Sequence, residues 1–199
     1  MANVLAPSGF RYIGLVDGSS PNFGIATGFA AYNASAMYAG DPLVLSGGLL
    51  VPASTTGNTG AAIAGVAVSF KWVSTTFQQP VWRPYYPGSD SVSNANVDVR
   101  YVNNAGAIFE VQVSSSSAGT AVGGPAVQAD VGSFFNFATG AGGSAATGQS
   151  SFSLDYSTKN ATKGVLPFYL YSLESAPRTD PATAGNLVRV GISTLTLAG

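Results

Sequence analysis

Val97-Asp98-Val99-Arg100-Tyr101-Val102 alternates apolar and polar side chains, and Ile108-Phe109-Glu110-Val111-Gln112-Val113 repeats the pattern. Successive side chains of a strand point to opposite faces, so this period of two marks two strands. Between them lies Asn103-Asn104-Ala105-Gly106, residues that tolerate positive φ, and the spacing predicts a hairpin turn. In that hairpin Asp98, Arg100, Glu110 and Gln112 share one face. A cross-strand ion pair there would add only about 0–1 kcal/mol.

Outward from this pair, further strands are expected at 24–32, 42–45, 49–51 and 62–71, then at 126–129, 133–138, 150–156, 166–173 and 187–197. Each is short and bounded by Gly, Pro, Asn, Ser or Asp. Many strands at regular spacing predict an all-β, antiparallel sandwich or barrel, jelly-roll-like, with long loops. No segment carries a capped helical stripe, and 33–39 has room for one turn of helix at most. Loops are expected at 54–60, 75–91 and 140–148. The second contains Trp82-Arg83-Pro84-Tyr85-Tyr86-Pro87-Gly88, and loops beyond about 12–15 residues usually serve a function. The domain reading is an extended N-terminal arm, 1–12, and one body, 13–199, with an aromatic insert at 71–91. A chain of 20.0 kDa buries about 70% of its unfolded surface, enough for a core of its own. That core is expected to hold Val66, Val68, Phe70, Val99, Tyr101, Phe109, Val111, Phe152, Leu154, Phe168, Leu170, Val188, Val190 and Ile192.

Charge narrows the function classes. Only 9% of the 199 residues are Asp, Glu, Lys or Arg, and the net charge is -1; ordinary soluble domains carry about 25%. A hydrophobic content of 46% rules against disorder. Such a chain either exposes a neutral Ser/Thr/Asn/Gly surface or covers its surface with partners. Histidine and cysteine are both absent, which excludes Ser-His-Asp and Cys-His catalysis, disulfides and thiolate metal sites. The acidic residues are scattered and form no calcium-ligand run. Asp98 and Glu110 are the only pair worth weighing for carboxylate catalysis, and a solvated strand face accounts for them equally. Gly140 to Gly148 has the glycine content of a phosphate loop but neither its Lys-Ser/Thr ending nor a following helix. The sequons at Asn33 and Asn160 are read as accidental. Lys and Arg are dispersed, so no nucleic acid is expected as a partner. Nor is a membrane: no run reaches 18 apolar residues. The first residues lack the basic and apolar regions of a secretion signal. Neither a cofactor nor a small-molecule substrate is expected, and the chain is read as non-enzymatic.

Met1-Ala2-Asn3-Val4, followed by Ala6-Pro7 and Gly9-Phe10-Arg11, resembles the start of a family of tailed-bacteriophage capsid decoration (cement) proteins. The likeness continues through Ala39-Gly40-Asp41-Pro42-Leu43-Val44-Leu45 and Ile63-Ala64-Gly65-Val66-Ala67-Val68-Ser69-Phe70. It extends to Arg100-Tyr101-Val102, Ile108-Phe109-Glu110-Val111-Gln112, Ala129-Asp130-Val131-Gly132 and Ser153-Leu154-Asp155, in order, over most of the chain. Two stretches depart from it, 71–87 and 174–185. The resemblance implies a virion structural protein with a β-rich body on the outer capsid surface, made in the host cytoplasm. Its partners would be the major capsid protein and itself, as a homotrimer ahead of a homodimer.

Bridging capsid subunits calls for apolar anchors and strand edges rather than reactive groups. Two segments offer them. The arm supplies Val4, Leu5, Pro7, Phe10, Arg11 and Tyr12, placed to add a strand to a neighbour's sheet. The insert supplies Trp72, Phe77, Trp82, Arg83, Tyr85 and Tyr86, residue types that dominate interface hot spots. Two rival readings share these features. One is a carbohydrate-binding β-sandwich with Trp72, Trp82 and Tyr85 as a stacking platform; the other is a different virion component, a tail or head-fibre base.

Overall fold

Both alternating segments are strands, but they do not pair with each other. The computed structural model describes residues 3–18, 25–54, 62–115, 124–140, 142–175 and 178–195. In chain order the strands are β1 (Arg11–Leu15), β2 (Ile25–Ala30), β3 (Met37–Tyr38), β4 (Pro42–Ser46), β5 (Leu49–Pro52), β6 (Gly65–Val73) and β7 (Pro80–Arg83). There follow β8 (Tyr85–Tyr86), β9 (Val97–Val102), β10 (Ala107–Ser114), β11 (Phe134–Ala138), β12 (Ser153–Asn160), β13 (Phe168–Leu173) and β14 (Leu187–Ile192). The class is all-β, as the alternation predicts. Among the described residues the only helical turn is a 3₁₀ turn, Gln128–Asp130, which replaces the strand expected at 126–129. Its cause is local: the Asp130 carboxylate accepts the Val127 N–H at 2.8 Å and folds the chain back. The expected loop at 54–60 lies, apart from Ser54, outside the described residues.

The first sheet runs β1-β10-β12-β11-β13-β14, and β14 also pairs with β10, so the last five strands close into a ring. One edge of β10 is paired with β14 from Ile108 to Gln112. Its other edge is divided between β1, antiparallel along Ala107 to Glu110, and β12, parallel at Val113 and Ser114. Closure removes the free edges that an open sheet would expose. All eight residues of β10 are buried. Phe109, Val111, Phe135, Phe137, Leu154, Phe168, Leu170, Val188 and Val190 belong to the core of this lobe.

The second sheet runs β2-β9-β6-β4-β5, with β7 added to β6, and encloses Met37, Leu43, Leu50, Phe70, Trp72, Tyr86, Val97, Val99 and Tyr101. Its curl brings β2 against Leu50 of β5. A Cβ on Gly28 would lie 2.7 Å from Leu50 Cδ1 and 3.2 Å from Tyr101 Cε1, so any larger residue there would have to push the Leu50 side chain aside. Val66 and Val102 belong to the first core although their strands belong to the second sheet, which joins the lobes. The accessible surface of 9008 Å² is close to the roughly 8,700 Å² that scaling gives a folded monomer of this mass. One chain therefore completes its own core. Thirteen of the fourteen residues expected there are buried, and Val68 is half-buried.

Two expectations require correction. Asn103 to Gly106 does turn, with Gly106 N–H donating to Asn104 Oδ1 at 2.7 Å and Ala107 N–H to Asn104 O at 3.0 Å. It carries the chain from one sheet to the other, and is not a hairpin. The period of two shows which side chains share a face but says nothing about which strand lies alongside. Asp98 and Arg100 look outward from the second sheet, whereas Glu110 and Gln112 are buried in the first. The second correction concerns the arm. Regular structure begins at Arg11, and residues 3–10 lie against the body. Gly9 N–H donates to Phe152 O at 3.1 Å and Phe10 N–H to Gly40 O at 3.0 Å. The Phe10 ring is 1% exposed and stacks on Phe168 at 4.2 Å. A segment with Pro7 and Gly9 reads as free, yet its one large aromatic is a core residue.

Asp41 sits where the two lobes meet, 3% exposed, with its Oδ2 accepting the Tyr38 N–H at 2.8 Å. Burial pushes its carboxyl up to about 6, against hydrogen bonds from Ser150 and Tyr38 that favour the ionised form.

Two predictions follow from this packing. Phe10→Ala should lower the unfolding free energy in urea by about 3–5 kcal/mol, as for other buried aromatics; a cost under about 1 kcal/mol would return the residue to a free arm. A raised carboxyl favours the folded state most below its unfolded value of 3.8, and that contribution is lost as pH rises through about 6. The stability of the native protein relative to Asp41→Asn should therefore fall by up to about 3 kcal/mol between pH 4 and pH 7.

Candidate interaction surfaces

The N-terminal segment is held by side-chain amides that imitate strand pairing. Gln112 Nε2 donates to Val4 O at 2.7 Å, and Ala6 N–H donates to Gln112 Oε1 at 2.8 Å. Asn3 donates to Asp180 O at 2.9 Å and accepts from the Asp180 N–H at 3.0 Å. Of the six arm residues singled out, only Val4 is an exposed apolar side chain, at 80%. Leu5 and Pro7 are half-buried, Phe10 is core, and Tyr12 packs its ring 5.8 Å from Phe109. Arg11 is exposed and donates to Glu110 Oε1 at 2.7 Å.

The aromatic insert divides. Trp72 and Tyr86 are buried, edge to face at 5.2 Å, so both are core residues and neither offers contact area to a partner. Tyr86 donates its hydroxyl to Tyr32 O at 2.6 Å. Trp72 donates its indole N–H to Asp90 Oδ2 at 2.9 Å. Asp90 also accepts from Ser74 Oγ at 2.7 Å, Thr75 Oγ1 at 3.1 Å, Thr76 N–H at 3.1 Å and Thr76 Oγ1 at 2.7 Å. Burial raises its carboxyl, but the hydrogen bonds from Thr76, Ser74 and Trp72 outweigh that and hold it far below the usual carboxylate range. This knot gives the stretch expected to be a loop its shape, with β7 and β8 inside it. The other four residues reach the surface on two different sides. Phe77, Arg83 and Tyr85 line one cleft; Arg83 lies 5.0 Å from the Phe77 ring centre and donates to Tyr85 Oη at 2.8 Å. Trp82 points to the opposite side.

There it completes a surface that sequence reading did not single out. The registers place Phe29, Asp98, Lys71 and Trp82 in one row across β2, β9, β6 and β7. Thr27, Arg100 and Ser69 form the next row, and Arg100 lies 4.3 Å over the Trp82 ring. Phe29 and Trp82 are each 52% exposed, with Ile25 and Val73 exposed beside them. The polarity of β2 is inverted. Its inward side chains are Ala26 and Ala30 with Gly28 between them, while Ile25 and Phe29 face out. Close packing on Leu50 and Tyr101 requires the small residues inside. It does not require the large ones outside, and apolar faces left exposed in this way mark contact sites. The signal was present in the sequence, but reading it needs the inner face of β2 to be known.

Buried carboxylates elsewhere are engaged within the chain. Glu110 is held by Arg11 and Arg178, Glu174 by Arg189 at 2.7 Å, and Asp130 by Lys159 and by Tyr156 Oη at 2.9 Å. Asp98 and Glu110, the pair weighed for catalysis, belong to different sheets. Among the described residues no group of three or more Asp or Glu is placed to hold a metal ion, and no helix is long and apolar enough to cross a membrane. No family model, no curated protein and no solved structure matches the chain.

Asp90→Ala should cost about 3 kcal/mol at pH 7, because it strands the Trp72, Ser74 and Thr76 donors. A depressed carboxyl contributes stability above its unfolded value of 3.8 and loses it as pH falls. The cost, measured by urea unfolding, should therefore shrink towards pH 2.

Proposed function

We propose that this chain is a virion structural protein, a decoration protein. On this reading it binds the outer surface of a tailed-bacteriophage capsid and stabilises the shell by bridging major capsid protein subunits. It acts without catalysis, cofactor or small-molecule substrate, and it works as a homo-oligomer, a trimer ahead of a dimer. The observation that carries the reading is the set of large apolar side chains turned outward on the second sheet: Ile25, Phe29 and Trp82 on a body that completes its own core. The sequence resemblance supplies the identity of the partner. The low overall charge agrees with a surface made for covering; the ions on this face, Asp98, Lys71 and Arg100, lie between its apolar side chains.

The physics of such a role is linkage. A protein that binds only the assembled shell shifts the equilibrium towards it, and an oligomer multiplies weak contacts through effective concentration. The carbohydrate reading loses its platform here. Trp72 is inside, Tyr85 belongs to another cleft, and Arg100 lies over the Trp82 ring.

The test is occupancy on purified shells. Phe29→Ser with Trp82→Ala removes two exposed rings without touching either core, and should weaken binding by at least about tenfold. Unchanged occupancy by the double variant, with its melting temperature unaltered, would refute this surface as the docking face.

A further inference from the structure

We propose that the cleft between the two lobes, together with the polar hollow beside it on the first lobe, binds an extended segment of a partner polypeptide, taking one apolar side chain and, beside it, a carboxylate. The site meets the outer face of the second sheet at Ile25 but uses neither Phe29 nor Trp82, and it does not depend on the partner being a capsid subunit.

Two cavities share Ser8, Arg11 and Gln149 as a common wall, one between the lobes and one beside it on the first lobe. One, of about 310 Å³, is walled by Phe10, Tyr12, Ile25, Val66, Val68 and Phe109. Ligand-sized apolar pockets begin at about 300 Å³, and a side chain the size of Leu or Phe fits within it. The other, of about 320 Å³, is polar and opens over Arg11, Glu110 and Arg178. Among the described lining residues of both cavities these three are the only charged ones, two arginines to one carboxylate.

Glu110 is nearly sealed from solvent, while Arg11 and Arg178 are half exposed, at 54% and 45% of their side chains. Its Oε1 accepts from Arg11 Nη2 at 2.7 Å and from Arg178 Nη2 at 2.8 Å, and Arg178 Nη1 lies 2.5 Å from Oε2. One buried carboxylate thus fixes two guanidiniums and leaves one positive charge over. A guanidinium has five N–H donors in a rigid fork; Glu110 Oε1 accepts one from Arg11 and one from Arg178, and Arg178 Nη1 makes an ion-pair contact with Oε2. The remainder, already oriented, suit a second carboxylate arriving from solvent. The exposed Ser8 and Gln149 between the two cavities supply hydrogen bonds for a peptide group linking the two anchors. An alkyl carboxylate has no group to use them, so a polypeptide is the occupant that satisfies the whole cleft.

The test uses the full chain and a short, rhodamine-labelled, end-capped peptide in which two leucines precede a single glutamate, read by fluorescence anisotropy. Saturable binding is expected, weakening as salt rises from about 50 to about 300 mM because an ion pair is screened. Replacing the glutamate of the peptide by glutamine should weaken it at least about tenfold, as should Arg178→Gln at the polar end and Ile25→Glu at the apolar end. Both altered residues are at the surface, so folding is kept. Four results would overturn the proposal: no saturation at millimolar protein, equal binding of the glutamine peptide, indifference to Arg178→Gln and Ile25→Glu, or octanoate binding with the same dependence while the peptide does not bind.

Discussion

Glu110 and Gln112 are the long polar residues of a strand whose eight residues are all buried, and distant parts of the chain are drawn in to partner them. A buried carboxylate or amide without partners costs several kcal/mol, more than most single contacts return. Gln112 therefore gathers the backbone at Val4, Ala6 and Gly185, and Glu110 gathers Arg11 and Arg178. These contacts bring both the N-terminal segment and the connection before β14 onto the barrel. The polar hollow beside the cleft between the lobes is lined by the same groups. Removing this pair of side chains would leave both segments without their anchor and β10 without a reason to sit at the centre.

How much of this could be read in the sequence depends on what alternation encodes. It encodes faces. β9, β10, β12, β13 and β14 are recognisable from their apolar period, and nearly all of the expected core is buried, because an inward side chain must be apolar whatever strand lies beside it. Alternation does not encode neighbours. The turn at Asn103 to Gly106 has hairpin chemistry, yet Asp98 and Glu110 end in different sheets; the deciding facts are the partners of Glu110, almost a hundred residues away at Arg11. For the same reason Phe10 reads as part of an arm until the gap beside Phe168 is known.

The aromatic insert illustrates a finer limit. Trp72 and Trp82 are the only tryptophans and look equivalent in composition, but they stand on paired strands with opposite outcomes, one inside against Tyr86 and one outside under Arg100. What separates them is the parity of their positions on β6 and β7, and the ends of those strands are set by Asp90 and its ring of hydroxyl donors. A single acid in a Ser/Thr-rich stretch carries little weight in a linear reading. In three dimensions it fixes which ring is core and which is surface.

The way β10 is shared between β1, β12 and β14 has a consequence for how the molecule is made. Its pairings join residue 11 to 110, 113 to 154 and 112 to 187, so the ring cannot shut until nearly the whole polypeptide has been synthesised. Topologies dominated by such distant pairings fold slowly and pass through states with unpaired edges. During that interval β10, a strand wholly buried in the finished fold, is open to mispairing with other nascent chains. The yield of soluble protein should then be limited by crowding of half-made chains at the ribosome, and slower synthesis would favour the finished form.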